Sequence, residues 1–374
     1  MGFAILTVIV DTALVQISLG INSIVFPLTL ESLGFSKTLI GLILSVEVFA
    51  IVSVSRSISR LISRFGLSTI LLALPPVRAG LLLLLGLNGT WWGWMLLVFW
   101  YGLATNVFLV ALQTWLNTIP LEHSKGLVIG AYSAALSAGV ALGPVVVHFI
   151  AVDRPELFKV NALICLLSWL PVLGTVRLVP RLTTLDKPRV LFIIRHASVI
   201  MAAAFVGGFT WFGLPAFLTL FGVGSGLTTA QASFLLPMFM FGSMTLGWAI
   251  SSLSDKIDRS RVVSVCVFLS LLCSAYAPMI IYEYRFALLL FYLWGGLMGG
   301  IYAVCLTMVG EMFRMEDQVS ANITYVLMDA SGGFIGVFLI GLAMDLAGQE
   351  GLAYVLVSAS ICYFIFALSR HHAE

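Results

Sequence analysis

Tyr132-Ser-Ala-Ala-Leu-Ser-Ala-Gly139-Val-Ala-Leu-Gly143-Pro144 and Tyr325-Val-Leu-Met-Asp-Ala-Ser-Gly332-Gly-Phe-Ile-Gly336-Val337 carry one pattern twice, about 193 positions apart. Gly102 and Gly295 keep the same offset. Glycines four residues apart in an apolar run form a helix face that a second helix can approach closely. Their recurrence half a chain later marks a duplicated membrane bundle. Such bundles place a solute site at the repeat interface and rock one repeat against the other, so the duplication points to transport.

Composition sets the solvent. The 374 residues are 60% hydrophobic and 10% charged, too apolar for a water-soluble core, which makes lipid the expected environment. Spanning about 30 Å of hydrocarbon takes about 20 apolar residues per helix. Twelve candidate segments fit, at 3–28, 38–56, 67–87, 92–118, 126–149, 157–176, 198–221, 230–251, 262–281, 286–310, 319–344 and 352–369. The expected fold is all-α: a six-helix bundle over 1–179, a loop at 180–196 and a second six-helix bundle over 197–374. The first apolar stretch is too long for a signal peptide, and no basic residue precedes it.

Basic residues orient the spans, because short Lys- and Arg-rich loops stay cytoplasmic. Alternate sides hold fourteen and four of them, with Arg78 inside a span completing the 19. Both termini and the central loop are therefore expected in the cytoplasm, in a cytoplasmic membrane. The net charge of +2 reports topology and gives no reason to expect nucleic acid. Five cysteines lie in apolar segments without metal-site spacing, and the five histidines are scattered, so neither a metal nor a cofactor is expected.

Ionisable residues inside spans are the strongest functional pointers: Asp11 in the first helix, Glu47 in the second, Arg78 in the third and Asp329 in the eleventh. A central charge costs roughly 2.5–3.5 kcal/mol on insertion scales. Each must therefore pair, face a wet cavity or take up a proton, and Asp11, Glu47 and Asp329 are the proton-exchange candidates. Thr7, Asp11, Ser18 and Asn22 share one face of helix 1, and Asn106, Gln113 and Asn117 share one of helix 4. Asn322, Tyr325 and Asp329 form a third stripe on helix 11. These stripes either line a cavity or bond between helices. Trp211 in helix 7, with Trp294 and Tyr302 in helix 10, could wall an apolar solute, whereas Trp91, Trp92 and Trp94 read as an interfacial belt. Arg78 follows Pro75-Pro76, a pair expected to disturb helix 3, and Glu47 is its expected partner. An anionic substrate is the alternative partner.

The loop Gly247-x7-Asp255-Lys256-Ile-Asp258-Arg259-Ser-Arg261 packs both signs of charge between apolar helices. It resembles the loop motif of the major facilitator superfamily, in which an acid and nearby arginines latch neighbouring helices. The first-half counterpart keeps Arg64, Phe65 and Gly66 but has Ser63 at the acidic position, so a full latch is implied for the second half alone. Gly139-x3-Gly143-Pro144 resembles the helix 5 motif common among proton-exchanging exporters of the superfamily, and Gly332-x3-Gly336 repeats it without proline. Gln113-Thr-Trp115-Leu-Asn117, then Lys125-Gly126 and Tyr132, resembles the YcaD-like branch, as does the stretch from Gly295 to Gly351. That branch carries an acid where Gln113 stands, and glutamine can hydrogen-bond a substrate but cannot titrate.

The resulting expectation is a secondary transporter, monomeric in the bilayer, that moves a small amphipathic organic solute by alternating access, with export against protons preferred. Import or uniport of a sugar, amino acid or organic anion is the alternative. A membrane-embedded lipid-modifying enzyme would need clustered catalytic groups near the interface, and the longest loop has none. A solute sensor that binds without flux stays open. No Gly-x4-Gly-Lys-Ser/Thr stretch occurs, which argues against ATP use.

Overall fold

The computed structural model describes residues 2–55, 58–119, 125–150, 154–179, 190–313 and 315–371. Among them no strand occurs. The helices are α1 (Gly2–Ser32), α2 (Lys37–Ser55), α3 (Ile58–Phe65), α4 (Leu67–Leu87), α5 (Trp91–Thr118), α6 (Lys125–Ile150), α7 (Arg154–Leu167), α8 (Trp169–Thr175), α9 (Val190–His196), α10 (Ser198–Gly224), α11 (Thr229–Leu253), α12 (Arg259–Ile280), α13 (Tyr284–Met312), α14 (Met315–Ala347) and α15 (Gly351–His371). Nine stretches of the described residues are long and apolar enough to cross a membrane, and the last runs through both α14 and α15. With α2 and α6 the architecture is the expected twelve-helix one. Of the shorter helices, α3 and α9 precede spans, while α7 and α8 together make the sixth.

The chain forms two compact units, Met1–Thr29 with Ala50–Asp186 and Leu30–Phe49 with Lys187–Glu374. In the first, Gly139 and Gly143 of α6 lie directly on α1. A Cβ on Gly139 would come within 2.8 Å of the Ala13 carbonyl, and one on Gly143 within 2.5 Å of Gly20 Cα. Lipid supplies no hydrophobic force between helices, so such backbone proximity, with its dispersion contacts, holds them. The core beside this crossing includes Phe108, Trp115 and Tyr132. Pro75 and Pro76 do not end their helix: α4 runs through both, with Pro75 buried. Gly66, at φ 78°, supplies the left-handed turn between α3 and α4.

The second unit repeats the device. A Cβ on Gly332 would overlap the Phe205 carbonyl, and one on Gly336 would stand 2.7 Å from Phe209 Cα, so α14 is seated on α10. Gly208 of α10 faces the Asp329 carbonyl in the same way. The first part of α2 belongs here because Gly41 meets Gly341 of α14, where an added Cβ would be 3.2 Å from Gly341 Cα. Asp345 then closes the α2 N-terminus. Its Oδ1 accepts from the Lys37 N–H at 2.9 Å, and its Oδ2 accepts from the Thr38 N–H at 2.7 Å and the Thr38 hydroxyl at 2.6 Å. Two otherwise unpaired amides are thereby satisfied.

Gly332→Leu should therefore lower the melting temperature of purified protein by several degrees, since overpacking costs about 1–3 kcal/mol. Gly80→Ala, where an added Cβ meets nothing within 4 Å, should leave it within a degree or two (about 0.5 kcal/mol). Equal effects on differential scanning fluorimetry would contradict the close-crossing account.

Candidate functional site

In the first unit, a buried polar file crosses α1, α4, α5 and α7. The Asn161 amide donates to Asn22 Oδ1 at 2.6 Å and to the Ser18 carbonyl at 3.3 Å. Ser18 Oγ meets the Tyr101 hydroxyl at 2.9 Å and Cys165 Sγ at 3.4 Å. Tyr101 and Phe108 then face the Arg78 guanidinium, with their ring centroids 5.8 and 5.6 Å from Cζ. Arg78 Nε–H donates to Thr105 Oγ1 at 3.0 Å. Asp11 is the acid within electrostatic reach of Arg78. Both carboxylate oxygens of Asp11 and both terminal nitrogens of Arg78 lack a hydrogen bond among the described residues.

This arrangement corrects two expectations. The acid within electrostatic reach of Arg78 is Asp11 of the same unit, where Glu47 was expected. Ser18 and Asn22, expected along a cavity, are instead buried in bonds between helices. Asp11 and Arg78 are themselves 0% exposed. Their charges act on each other through low-dielectric surroundings, out of a solute's direct reach. Tyr101, Thr105 and Asn161 were missed from sequence because isolated hydroxyls and amides in apolar helices carry no periodic signal.

In the second unit, Asp329 of α14 meets a more open environment. Its backbone is pinned at the Gly208 crossing. Trp211 of α10 stacks near Tyr302 of α13 with centroids 6.5 Å apart and planes 16° apart. Tyr302 meets Tyr325 of α14 edge to face at 5.5 Å. Both tyrosines lie within electrostatic reach of the Asp329 carboxylate. Tyr302 is 44% exposed, and Trp211 and Asp329 are half-buried. A Cβ added to Gly207 would touch only Met298 Cε at 3.8 Å and Asp329 Oδ1 at 4.0 Å, so there is room beside the acid. A carboxylate next to aromatic faces can hold an organic cation or exchange it for a proton.

The remaining candidates separate by burial. Trp294 is 0% exposed, stacks on Phe291 and donates its indole N–H to Ser270 Oγ at 2.7 Å, so it packs α13 on α12 and lines no cavity. Trp94 likewise leaves the interfacial belt, buried with its N–H on the Asn88 carbonyl at 2.9 Å. The Asn106 amide donates to the Gly102 carbonyl of its own helix at 2.8 Å. Gln113 and Asn322 are exposed. The side chains of Asn117, Lys125 and Ser63 lie outside the described residues. Arg64 is exposed and stands against its neighbour Phe65.

At the second-half loop, Arg259 pairs with Asp255 at 3.3 Å and with Glu311 of α13. Glu311 is the partner that loop spacing alone did not reveal. Lys256 is exposed. Asp258 caps α12, its Oδ1 accepting from the Arg261 N–H at 2.9 Å.

Two glycine-seated helix pairs and membrane-buried acids define a carrier of the major facilitator type, and comparison with known proteins agrees. The Major Facilitator Superfamily profile matches residues 10–337, and the chain belongs to that family. The MFS-type transporter YfkF of Bacillus subtilis (strain 168) is 22% identical over 302 residues, covering 77% of this chain and 74% of that protein. The MFS-type transporter YcaD of Salmonella arizonae is 22% identical over 287 residues, covering 76% and 74%. Among solved structures, the nucleoside transporter NupG superposes with a TM-score of 0.78 at 12% identity, covering 98% of both chains. A bacterial homologue of the human lysosomal transporter Spinster, inward-facing and unoccupied, gives 0.76 at 14% identity, covering 97% of this chain and 95% of that one. The protein is an integral membrane secondary transporter, not an enzyme.

Asp11 and Arg78 make no direct ion pair among the described residues, but removing Arg78 takes away the opposite charge within reach of the buried Asp11 carboxyl, which costs stability. Arg78→Met should thus melt well below wild type, and adding Asp11→Asn should restore part of the loss. A double variant no more stable than Arg78→Met would show that the two charges do not interact. Trp294→Phe, which removes the N–H donated to Ser270 Oγ but leaves the Ser270 hydroxyl on Met298 Sδ, should cost about 1 kcal/mol without changing transport; altered substrate selectivity would return Trp294 to the cavity wall.

Proposed function

We propose that this transporter exports a small amphipathic organic cation across the cytoplasmic membrane in exchange for protons, with Asp329 as the group that alternates between substrate and proton. The observation carrying this reading is the half-buried Asp329 carboxylate within electrostatic reach of Tyr302 and Tyr325, with Trp211 stacked near Tyr302 and Gly207 leaving space at the acid's side. An aliphatic or aromatic cation gains on aromatic faces and neutralises the acid. A proton neutralises the same acid when the cation leaves. Each loaded form avoids the roughly 2.5–3.5 kcal/mol of a bare charge at membrane depth. Glu47 is a further proton-exchange candidate, whereas the fully buried Asp11 and Arg78 form a fixed electrostatic element. Asp255, Arg259 and Glu311 bias one conformational state; exposed ion pairs are worth about 0–1 kcal/mol, which suits a contact that must break in each cycle.

Nutrient import is the weaker reading. The basic group that could hold an anionic nutrient, Arg78, is buried among rings.

In proteoliposomes with an imposed pH gradient, an aromatic cation such as tetraphenylphosphonium should be taken up against its gradient. Asp329→Asn should cut gradient-driven uptake at least tenfold, and Gly207→Leu should block it while leaving the melting temperature near wild type. Uptake that ignores the pH gradient would refute proton exchange. Full uptake by Asp329→Asn would remove this acid from the mechanism.

A further inference from the structure

The second unit holds a groove that the transport reading does not use. It runs between α10, α14 and α15 with a volume of about 910 Å³, near the top of the roughly 300–1,000 Å³ usual for small-molecule sites. Neither Asp329 nor Tyr302 lines it. Its α15 wall extends from Tyr354 to Phe366 in steps of one and three, a single helix face. At 1.5 Å per residue that face is about 18 Å long, more than half of a hydrocarbon core of about 30 Å. The walls are almost wholly apolar, with Phe205, Met328 and Ala359 among them.

One end differs. Arg195 and Ser198 stand there, and Arg195 is exposed. Among the described residues, the Arg195 guanidinium has neither a carboxylate partner nor a hydrogen bond. The opposite end, at Leu346 and Tyr354, is also exposed, at 80% and 53%. An apolar channel of acyl-chain length ending on an unpaired cation matches one ligand chemistry: a fatty chain carrying an anionic headgroup.

We propose that this groove is a binding site for one anionic phospholipid, its phosphate on Arg195 and an acyl chain along α15. Basic pockets between membrane helices recognise anionic headgroups in this way. A cationic solute, by contrast, would meet Arg195 as a like charge. The chain would lie against Met328 and Phe205, which adjoin the glycine crossing that seats Asp329. Occupancy by lipid therefore supports the α10–α14 pair from outside the substrate site.

The test uses the full-length purified protein, stripped of lipid in detergent and titrated with dioleoylphosphatidylglycerol, dioleoylphosphatidylethanolamine or glycerol 3-phosphate under native mass spectrometry. One phosphatidylglycerol should be retained in preference to phosphatidylethanolamine. Arg195→Gln should weaken that preference about fivefold, Arg195→Lys should largely preserve it, and Ala202→Trp, which fills the groove, should abolish retention. A diazirine-tagged phosphatidylglycerol should label peptides of α10, α14 or α15. Equal retention of the two lipids, unchanged binding by Arg195→Gln, or labelling confined to other helices would overturn the site. Saturation by glycerol 3-phosphate in place of the lipid would also overturn it, identifying a free-phosphate site.

Discussion

Backbone contact through glycine is the constraint on which this structure rests. In lipid, apolar side chains gain nothing by leaving solvent for a neighbouring helix, so helices associate where their backbones come close enough for dispersion and short polar contacts. Gly143 against Gly20 does this in the first unit, and Gly332 and Gly336 against Phe205 and Phe209 do it in the second. The positions of the functional side chains follow. Asp329 sits between Tyr325 and Gly332 on a helix whose depth and rotation are set where Gly208 meets its carbonyl. Altering that crossing would move the carboxylate relative to Trp211 and Tyr302 without touching any of the three.

Charge at membrane depth is handled in two ways. Asp11 and Arg78 are shut away between aromatic rings and a threonine, with hydrogen-bonding capacity left unfilled on both. Each charge depends on the other. Asp329 is instead half-buried, within electrostatic reach of Tyr302 and Tyr325. The first arrangement suits a fixed electrostatic element and the second an exchangeable one. The distinction rests on exposure, since both acids are equally anomalous in an apolar helix.

Contacts near the helix ends are of a different kind. Asp345 satisfies the first amides of α2, and Arg259 joins Asp255 to Glu311. Both depend on exposed carboxylates, which water can replace at small cost. Helix crossings built from backbone contact have no such substitute. Rigid crossings joined by exchangeable polar contacts are what a protein that changes conformation in each cycle requires.

Hydropathy and the 193-residue echo were enough to determine twelve spans and two repeats, because lipid admits few solutions and each leaves a long apolar signature; the family came from the resemblance carried by the Asp255–Arg261 loop, the Gly139–Pro144 motif and the Gln113–Asn117 stretch. The membrane acids were legible too, since a charge in an apolar run has few bland explanations. What the tertiary structure decided was partnership. Helical periodicity says which residues share a face but not which neighbour that face meets. Hence Arg78 was expected beside Glu47 and lies near Asp11, and Trp294 was expected in a cavity and is packed on Phe291. The Ser18 and Asn22 stripe likewise bonds to α5 and α7. These pairings are set by crossing depth and rotation, which depend on contacts between residues far apart in the chain, and no local pattern encodes them.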